Sequence, residues 1–154
     1  MTGVQTCALP ISDGARNRIL KAPAPHEPAL PPAPDTIIAC CSVRAIGQPL
    51  NEKLAHRPAL IAALTGLELE ATVEPEHLGR LLANPEGALR GIGSARVVPL
   101  INMVDDAELE RLAVRVAETA LALTDRFDYV VLAAMRNSEP IVRVVRRIRR
   151  TLQN

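Results

Sequence analysis

The chain has 154 residues, 48% of them apolar, which is enough for one compact domain with a buried core but too few for two. Eighteen Lys and Arg against 17 Asp and Glu leave a net charge of +1, so no strong field favours a nucleic-acid or membrane partner. One Phe, one Tyr and no Trp argue against recognition by aromatic stacking, and no apolar run is long enough to span a membrane.

The first twelve residues, MTGVQTCALPIS, differ in character from the rest of the chain. Residues 1–11 resemble the in-frame translation of a common sequencing-library adapter. They lack the charged region and the long apolar stretch of a secretory signal. We therefore treat residues 1–12 as an artefact and predict a partial domain over residues 13–154, whose N-terminal strand is missing from this chain.

A Pro-rich loop and three strands are predicted next. Residues 22–34 contain six prolines in thirteen positions, which excludes a helix or the interior of a sheet. Apolar, β-branched runs at Thr36–Val43, Arg96–Ile101 and Tyr129–Met135 lack the polar alternation of a half-exposed strand. They predict a parallel sheet that is covered on both faces.

The segments between and after these strands have helical patterns. Residues 47–95 are predicted to form a small helical insert with helices at Pro58–Leu64 and Pro75–Leu82. A longer amphipathic helix is predicted at Asp106–Leu123, and an arginine-rich one at Glu139–Leu152. Strands joined by helices predict an open, mainly parallel α/β sheet.

Two cysteines lie side by side in the first predicted strand. Strand geometry points Cys40 and Cys41 to opposite faces, so a disulfide between them is not expected. We interpret them as small apolar residues of a buried strand in a cytoplasmic protein, not as a metal or redox site. No Cys and His spacing typical of zinc occurs.

Several short motifs together resemble the YqeC family. The segments that carry the resemblance are, in chain order, DGAR from Asp13, LKAPAPHEP from Leu20, IGQPL from Ile46, HRP from His56, NPEG from Asn84 and LINMVD from Leu100. The LKAPAPHEP segment is the specific one, and the resemblance extends from Asp13 to about Arg147. It implies an accessory protein of selenium-dependent molybdenum hydroxylases, also called a selenium cofactor biosynthesis protein, with a P-loop NTPase-like fold.

The same resemblance implies a glycine-rich phosphate loop upstream of Asp13. No GxxxxGK[ST] pattern occurs in this chain, so the backbone cradle and the phosphate-binding Lys are missing. Asp13 corresponds by position to an acidic residue that would hold Mg²⁺. We expect a longer parent to bind Mg²⁺ and a nucleoside triphosphate, and this chain not to bind Mg-nucleotide at physiological concentrations. A simple Asp-Gly turn is the alternative for Asp13.

The LKAPAPHEP and HRP segments supply further candidate binding residues. Lys21 is a candidate for nucleotide binding, and His26, Glu27 and Arg57 are candidates in the loop. A backbone fixed by prolines loses little entropy when its Lys and His meet an anion. The alternative is an exposed loop with ordinary polar side chains.

The motif Asn102-Met103-Val104-Asp105 follows a predicted strand, as the NKxD base-recognition motif of GTPases does. In that motif the Asp accepts from the guanine edge, and Met103 stands where a Lys stem covers the base. Asn102 and Asp105 are therefore candidate nucleotide-binding residues. Asp105 also begins a D-x-x-E capping box for the next helix, and the two roles can coexist.

These observations predict a cytoplasmic accessory factor that binds a nucleotide in its full-length form. They leave open whether the full-length form is an enzyme. The expected partner is a selenium-dependent molybdenum hydroxylase or its cofactor machinery, with neither nucleic acid nor membrane involved. The alternative is a non-catalytic binding module for the hydroxylase or for a cofactor intermediate. A GTPase of unrelated role would need the Lys that Met103 replaces.

Overall fold

The computed structural model describes residues 18–24, 26–27, 30 and 33–147. Residues 1–12 and Asp13 therefore lie outside the described residues. The elements are, in chain order, β1 (Leu20–Lys21), β2 (Thr36–Ser42), a 3-10 turn (Val43–Ala45), β3 (Ala55–His56), α1 (Pro58–Thr65), α2 (Pro75–Ala83), β4 (Arg96–Asn102), α3 (Ala107–Leu123), β5 (Tyr129–Ala133) and β6 (Ile141–Arg146).

The main sheet has four described strands in the order β2-β4-β5-β6. The first three are parallel, and β6 is antiparallel to β5. Helices α1 and α2 connect β2 to β4, and α3 connects β4 to β5, as parallel neighbours require. The α/β class and the three predicted apolar strands are confirmed.

Helix boundaries follow from local chemistry. Proline occupies the first position of both α1 and α2, where its missing N–H is not needed. Gly66, with a φ of 74°, ends α1 in the left-handed conformation. Asp106 caps α3, because its carboxylate accepts from the backbone N–H groups of Glu108 and Leu109 at 2.9 and 2.8 Å. The capping role predicted for Asp105 therefore belongs to the next residue.

The arginine-rich segment is a strand where the structure describes it, so the predicted helix over Glu139–Leu152 is wrong there. Four of the six residues of β6, in the sequence IVRVVR, are Ile or Val, and β-branched side chains favour strands. The antiparallel register pairs Val145 with Val130 and Val144 with Val131 along the edge of β5. Residues 148–154 lie outside the described residues.

One face of the main sheet is open in the described part of the chain, contrary to the expected cover on both faces. Val97, Ile101, Val130 and Leu132 are at most 3% exposed and share a core with α3. The opposite face, here called the open face, carries residues that alternate with these and are half-buried or exposed. It comprises Ile38, Cys40, Val98, Leu100, Val131 and Val144.

A second, two-stranded parallel sheet brings distant parts of the chain together. Leu20 pairs with Ala55 and Lys21 with His56, which joins the start of LKAPAPHEP to the segment that precedes α1. Leu20 and Ala55 belong to the hydrophobic core, so this pairing is anchored from beneath. In the part of the chain that the structure describes, no helix combines the length and apolar character needed to cross a membrane.

Candidate functional site

Glu27 joins the Pro-rich loop to the residue before α1. Its carboxylate lies 3.0 Å from Nζ of Lys21 and 2.7 Å from Nη1 of Arg57, and it accepts the backbone N–H of Ala24 at 3.0 Å. The three charged side chains are between 14% and 27% exposed. Three of the predicted candidates, Lys21, Glu27 and Arg57, therefore form one partly buried unit, called here the Glu27 cluster.

Arg57 holds this cluster to the small sheet. Its Nη1 also donates to the backbone oxygen of Ala22 at 3.0 Å. Its backbone has a φ of 64°, a left-handed conformation that is uncommon and costly for a residue other than glycine. The hydrogen bonds of the guanidinium offset that cost, so Arg57 positions the loop.

The charge state of Glu27 is fixed by its neighbours. The hydrogen bond from Arg57 is the largest cause that lowers its pKa from 4.5 to about 2, and the N–H of Ala24 and the ammonium of Lys21 lower it further against a desolvation penalty. The carboxylate is thus ionised at neutral pH. His26, the fourth candidate of this loop, is exposed.

A second group of side chains lies where β2, β4 and β5 end. Asn102 is the last residue of β4, and its Oδ1 accepts the backbone N–H of Met135 at 3.2 Å. The N–H of Val104 donates to the oxygen of Ala133 at 3.0 Å. The loop after β4 is therefore tied to the segment at the end of β5, and Asn102 holds the two together.

Asp105 faces an arginine that the sequence analysis did not single out. Nη2 of Arg44, from the 3-10 turn after β2, lies 2.7 Å from Oδ2 of Asp105, and the side chains are 55% and 37% exposed. Because the carboxyl ends of parallel strands share one edge of a sheet, a polar residue just after β2 could have been paired with the motif after β4. We call Ser42, Arg44, Asn102, Met103 and Asp105 the carboxyl-end cluster.

Met103 contacts Ser42 within this cluster. Its φ of 65° places it in the left-handed region, and its sulfur is 3.2 Å from the donating hydroxyl of Ser42. The side chain is 38% exposed, and Met135, at the end of β5, is 56% exposed. The loop after β4 and the segment after β5 thus each carry an exposed thioether side chain.

The structure does not bring all predicted residues into one site. None of the contacts above joins the Glu27 cluster to the carboxyl-end cluster, so Lys21 is not united with Asn102 and Asp105. Two surface pockets lie elsewhere, one lined by residues 33–34 and 91–95 with Leu30, the other by residues 48–49, 51 and 53–54 with Ile19. None of the predicted site residues lines either pocket.

The cysteines are placed differently from expectation. Cys40 is exposed on the open face, so its predicted burial is wrong, whereas Cys41 is half-buried on the opposite face. Desolvation, with a smaller contribution from Cys40, raises the pKa of the Cys41 thiol to about 12, which makes it a poor nucleophile at neutral pH. Within the described residues, no group of three or more His, Cys, Asp or Glu could hold a metal ion.

Comparison with known proteins gives two related matches. Residues 4–59 match the model of the YqeC protein family, a range that includes the whole Glu27 cluster and begins within the adapter-like stretch. The chain is 33% identical over 98 residues to "Uncharacterized protein YqeC" of Escherichia coli (strain K12), which covers 63% of this chain and 38% of that protein. The match thus spans well under half of that relative. No solved structure is significantly similar.

Proposed function

We propose that this chain, which is similar to the YqeC family over residues 4–59 and to a YqeC protein over 98 residues, is part of a nucleotide-binding accessory factor for the maturation of selenium-dependent molybdenum hydroxylases. The carboxyl-end cluster supports the proposed nucleotide binding. The motifs that resemble the family, above all LKAPAPHEP, support the proposed role in maturation of selenium-dependent hydroxylases.

One observation carries the proposed nucleotide binding. Asp106 caps α3, so the carboxylate of Asp105 is not consumed by the helix and remains 37% exposed at the sheet edge. Open α/β sheets bind their ligands outside the carboxyl ends of parallel strands, where this cluster lies. An exposed carboxylate at that position can accept hydrogen bonds from the N–H groups of a base. We also propose that the main sheet has the P-loop NTPase-like fold.

The Mg²⁺ and triphosphate implied by the resemblance do not fit the residues that the structure describes. These residues contain neither a GxxxxGK[ST] loop nor a group of three His, Cys, Asp or Glu that could hold a metal ion. Asp13, the proposed metal ligand, lies outside them. The described part of the chain fits the base end of a nucleotide, and we derive no phosphate chemistry from it.

The remaining candidates have supporting roles in this proposal. Lys21 contributes positive charge, although its ammonium already contacts Glu27 at 3.0 Å. With Arg57 the Glu27 cluster holds two cations and one anion, so a single positive charge remains for an anionic ligand, and exposed His26 lies in the same loop. The proposed partner is the hydroxylase or its cofactor machinery in the cytoplasm.

A non-catalytic binding module is the second candidate function. The open face supports it, because contiguous exposed apolar surface marks sites of protein contact. Such a module would grip the hydroxylase or a cofactor intermediate without turnover.

Removing the parent gene from its host tests the proposal. Selenium-dependent hydroxylase activity should be lost, while molybdenum enzymes without labile selenium should stay active. Normal activity of the selenium-dependent enzymes in the deletion strain would refute the assignment. An Asp13→Asn variant in the same host separates the two candidate functions, since the swap keeps size and removes the charge that a divalent cation needs. Loss of activity favours nucleotide chemistry, and retention favours the binding module.

A further inference from the structure

We propose that Arg44 competes with the ligand for the carboxylate of Asp105. Its guanidinium occupies the acceptor that would otherwise take the N–H edge of a guanine-type ring. The inference rests on the proposed nucleotide-binding function and narrows the ligand to planar heterocycles with two neighbouring N–H donors across an N–C–N unit.

The chemistry of the present contact supports this class of ring. The guanidinium of Arg44 is planar, presents N–H donors across an N–C–N unit, and places Nη2 2.7 Å from Oδ2 of Asp105. The ring N–H and the exocyclic amino group of guanine form the same donor arrangement. Adenine instead places a ring nitrogen without hydrogen beside its amino group, and its lone pair would face a carboxylate oxygen. Through this one contact, Arg44 occupies a carboxylate oxygen that a guanine edge would use.

The competition is easily reversed because the pair is exposed. The side chains of Arg44 and Asp105 are 55% and 37% exposed, and ion pairs in water of this kind contribute little. Displacement of the guanidinium thus lowers the apparent affinity of a ring by only about 1.5- to 5-fold, the factor that corresponds to such a pair. The guanidinium of Arg44 thus binds the Asp105 carboxylate reversibly and is displaced when the donor edge of a ring binds there.

Binding of a ring to the Asp105 carboxylate requires only side chains to move. The N–H of Val104 is bonded to the oxygen of Ala133 before it, and Asp106 caps α3 after it. The backbone that carries the carboxylate is therefore held on both sides. Met103, two residues before Asp105, is 38% exposed, and its polarizable thioether can pack on the face of a ring.

Ligand-detected NMR titration of this chain with guanosine, which has no phosphate, tests the competition. Arg44→Gln should tighten guanosine binding by about 1.5- to 5-fold, because the carboxylate loses its internal partner. Asp105→Asn should abolish binding, since the amide repels one of the two donors. The substitutions should not tighten adenosine binding relative to the native chain. Arg115→Gln is the matched control, because it breaks a similarly exposed 2.7 Å pair with Glu76 that includes no residue of the cluster.

Salt provides a second readout. In the native chain, added salt should strengthen guanosine binding, since screening weakens the Arg44–Asp105 pair more than a hydrogen bond to a neutral ring. In Arg44→Gln this dependence should disappear. Guanosine binding that is unchanged or weaker in Arg44→Gln, or that persists in Asp105→Asn, overturns the inference. If the gene deletion left selenium-dependent hydroxylase activity normal while guanosine binding still depended on Asp105, the proposed function would be rejected and the role of Arg44 would stand.

Discussion

Glu27 shows how a short sequence motif becomes a three-dimensional unit. The sequence placed Lys21 and Glu27 in one loop and Arg57 thirty residues later, but no local pattern indicates that Arg57 binds Glu27. The contact depends on the pairing of β1 with β3, a non-local event. The residues of the cluster were therefore predictable as candidates, while their mutual neutralisation was not.

We predict that Glu27→Gln destabilises the protein by about 1–3 kcal/mol at neutral pH, because it leaves two partly buried cations without their carboxylate. The folded pKa of Glu27 is lowered from 4.5 to about 2, so its contribution is complete above pH 4.5 and is lost as pH falls towards 2. Urea denaturation across this range measures the difference from the native chain, which should shrink on acidification.

Glu76→Gln is the control for this experiment, since it removes the carboxylate of a more exposed ion pair with Arg115. Its effect should stay below about 1 kcal/mol. If Glu27→Gln were no more destabilising than Glu76→Gln at neutral pH, the Glu27 cluster would not hold the loop.

The neighbouring residues Asp105 and Asp106 have separable roles. Asp106→Ala should cost about 1 kcal/mol of stability, because two N–H groups at the start of α3 lose their acceptor. Asp105→Ala should cost less than about 0.5 kcal/mol, since it removes only an exposed ion pair. Thermal unfolding of the two variants gives the comparison. A larger loss for Asp105→Ala would return the capping role to that residue.

The strands and helices are predicted correctly from the sequence where one local signal dominates. The apolar runs of β2, β4 and β5 and the Pro and Gly boundaries of α1 are unambiguous. The segment IVRVVR is not, because its Arg and Val spacing also fits a helix face when the sequence is considered alone. Pairing with the free edge of β5 decides between the two, and that edge is visible only in the assembled sheet.

The crossing of α2 and α3 gives a test of how closely two elements approach. A Cβ at Gly79 would lie 2.6 Å from Cβ of Thr119 and 3.0 Å from the backbone oxygen of Val116. Gly79→Ala should therefore destabilise by about 1–3 kcal/mol through overpacking, although Ala is normally the better helix former. The melting temperature is the measurement. A stabilised Gly79→Ala variant would contradict the close approach of the two helices.

The open face of the main sheet is the feature that composition could not reveal. Residues on both sides of β2 and β4 are apolar, so the sequence predicts two covered faces whether or not a second layer is present. The structure separates them, because Val97 is 3% exposed whereas its neighbour Val98 is half-buried on the opposite face. Alternation along the strands, fixed by the register, makes this distinction.

Ile38 is the most exposed large apolar residue of the open face. Ile38 is 59% exposed on β2, which is an edge strand of the described sheet, and exposed apolar edge strands promote association. Ile38→Lys should reduce concentration-dependent self-association in sedimentation velocity and change stability by less than about 0.5 kcal/mol.

Val97→Thr and Val98→Thr form a matched pair for the stability measurement. Val97→Thr places a hydroxyl in the core and should cost about 1–3 kcal/mol, and Val98→Thr should cost clearly less. Equal losses for the two valines, or a large loss for Ile38→Lys, would show that the second face is covered in solution.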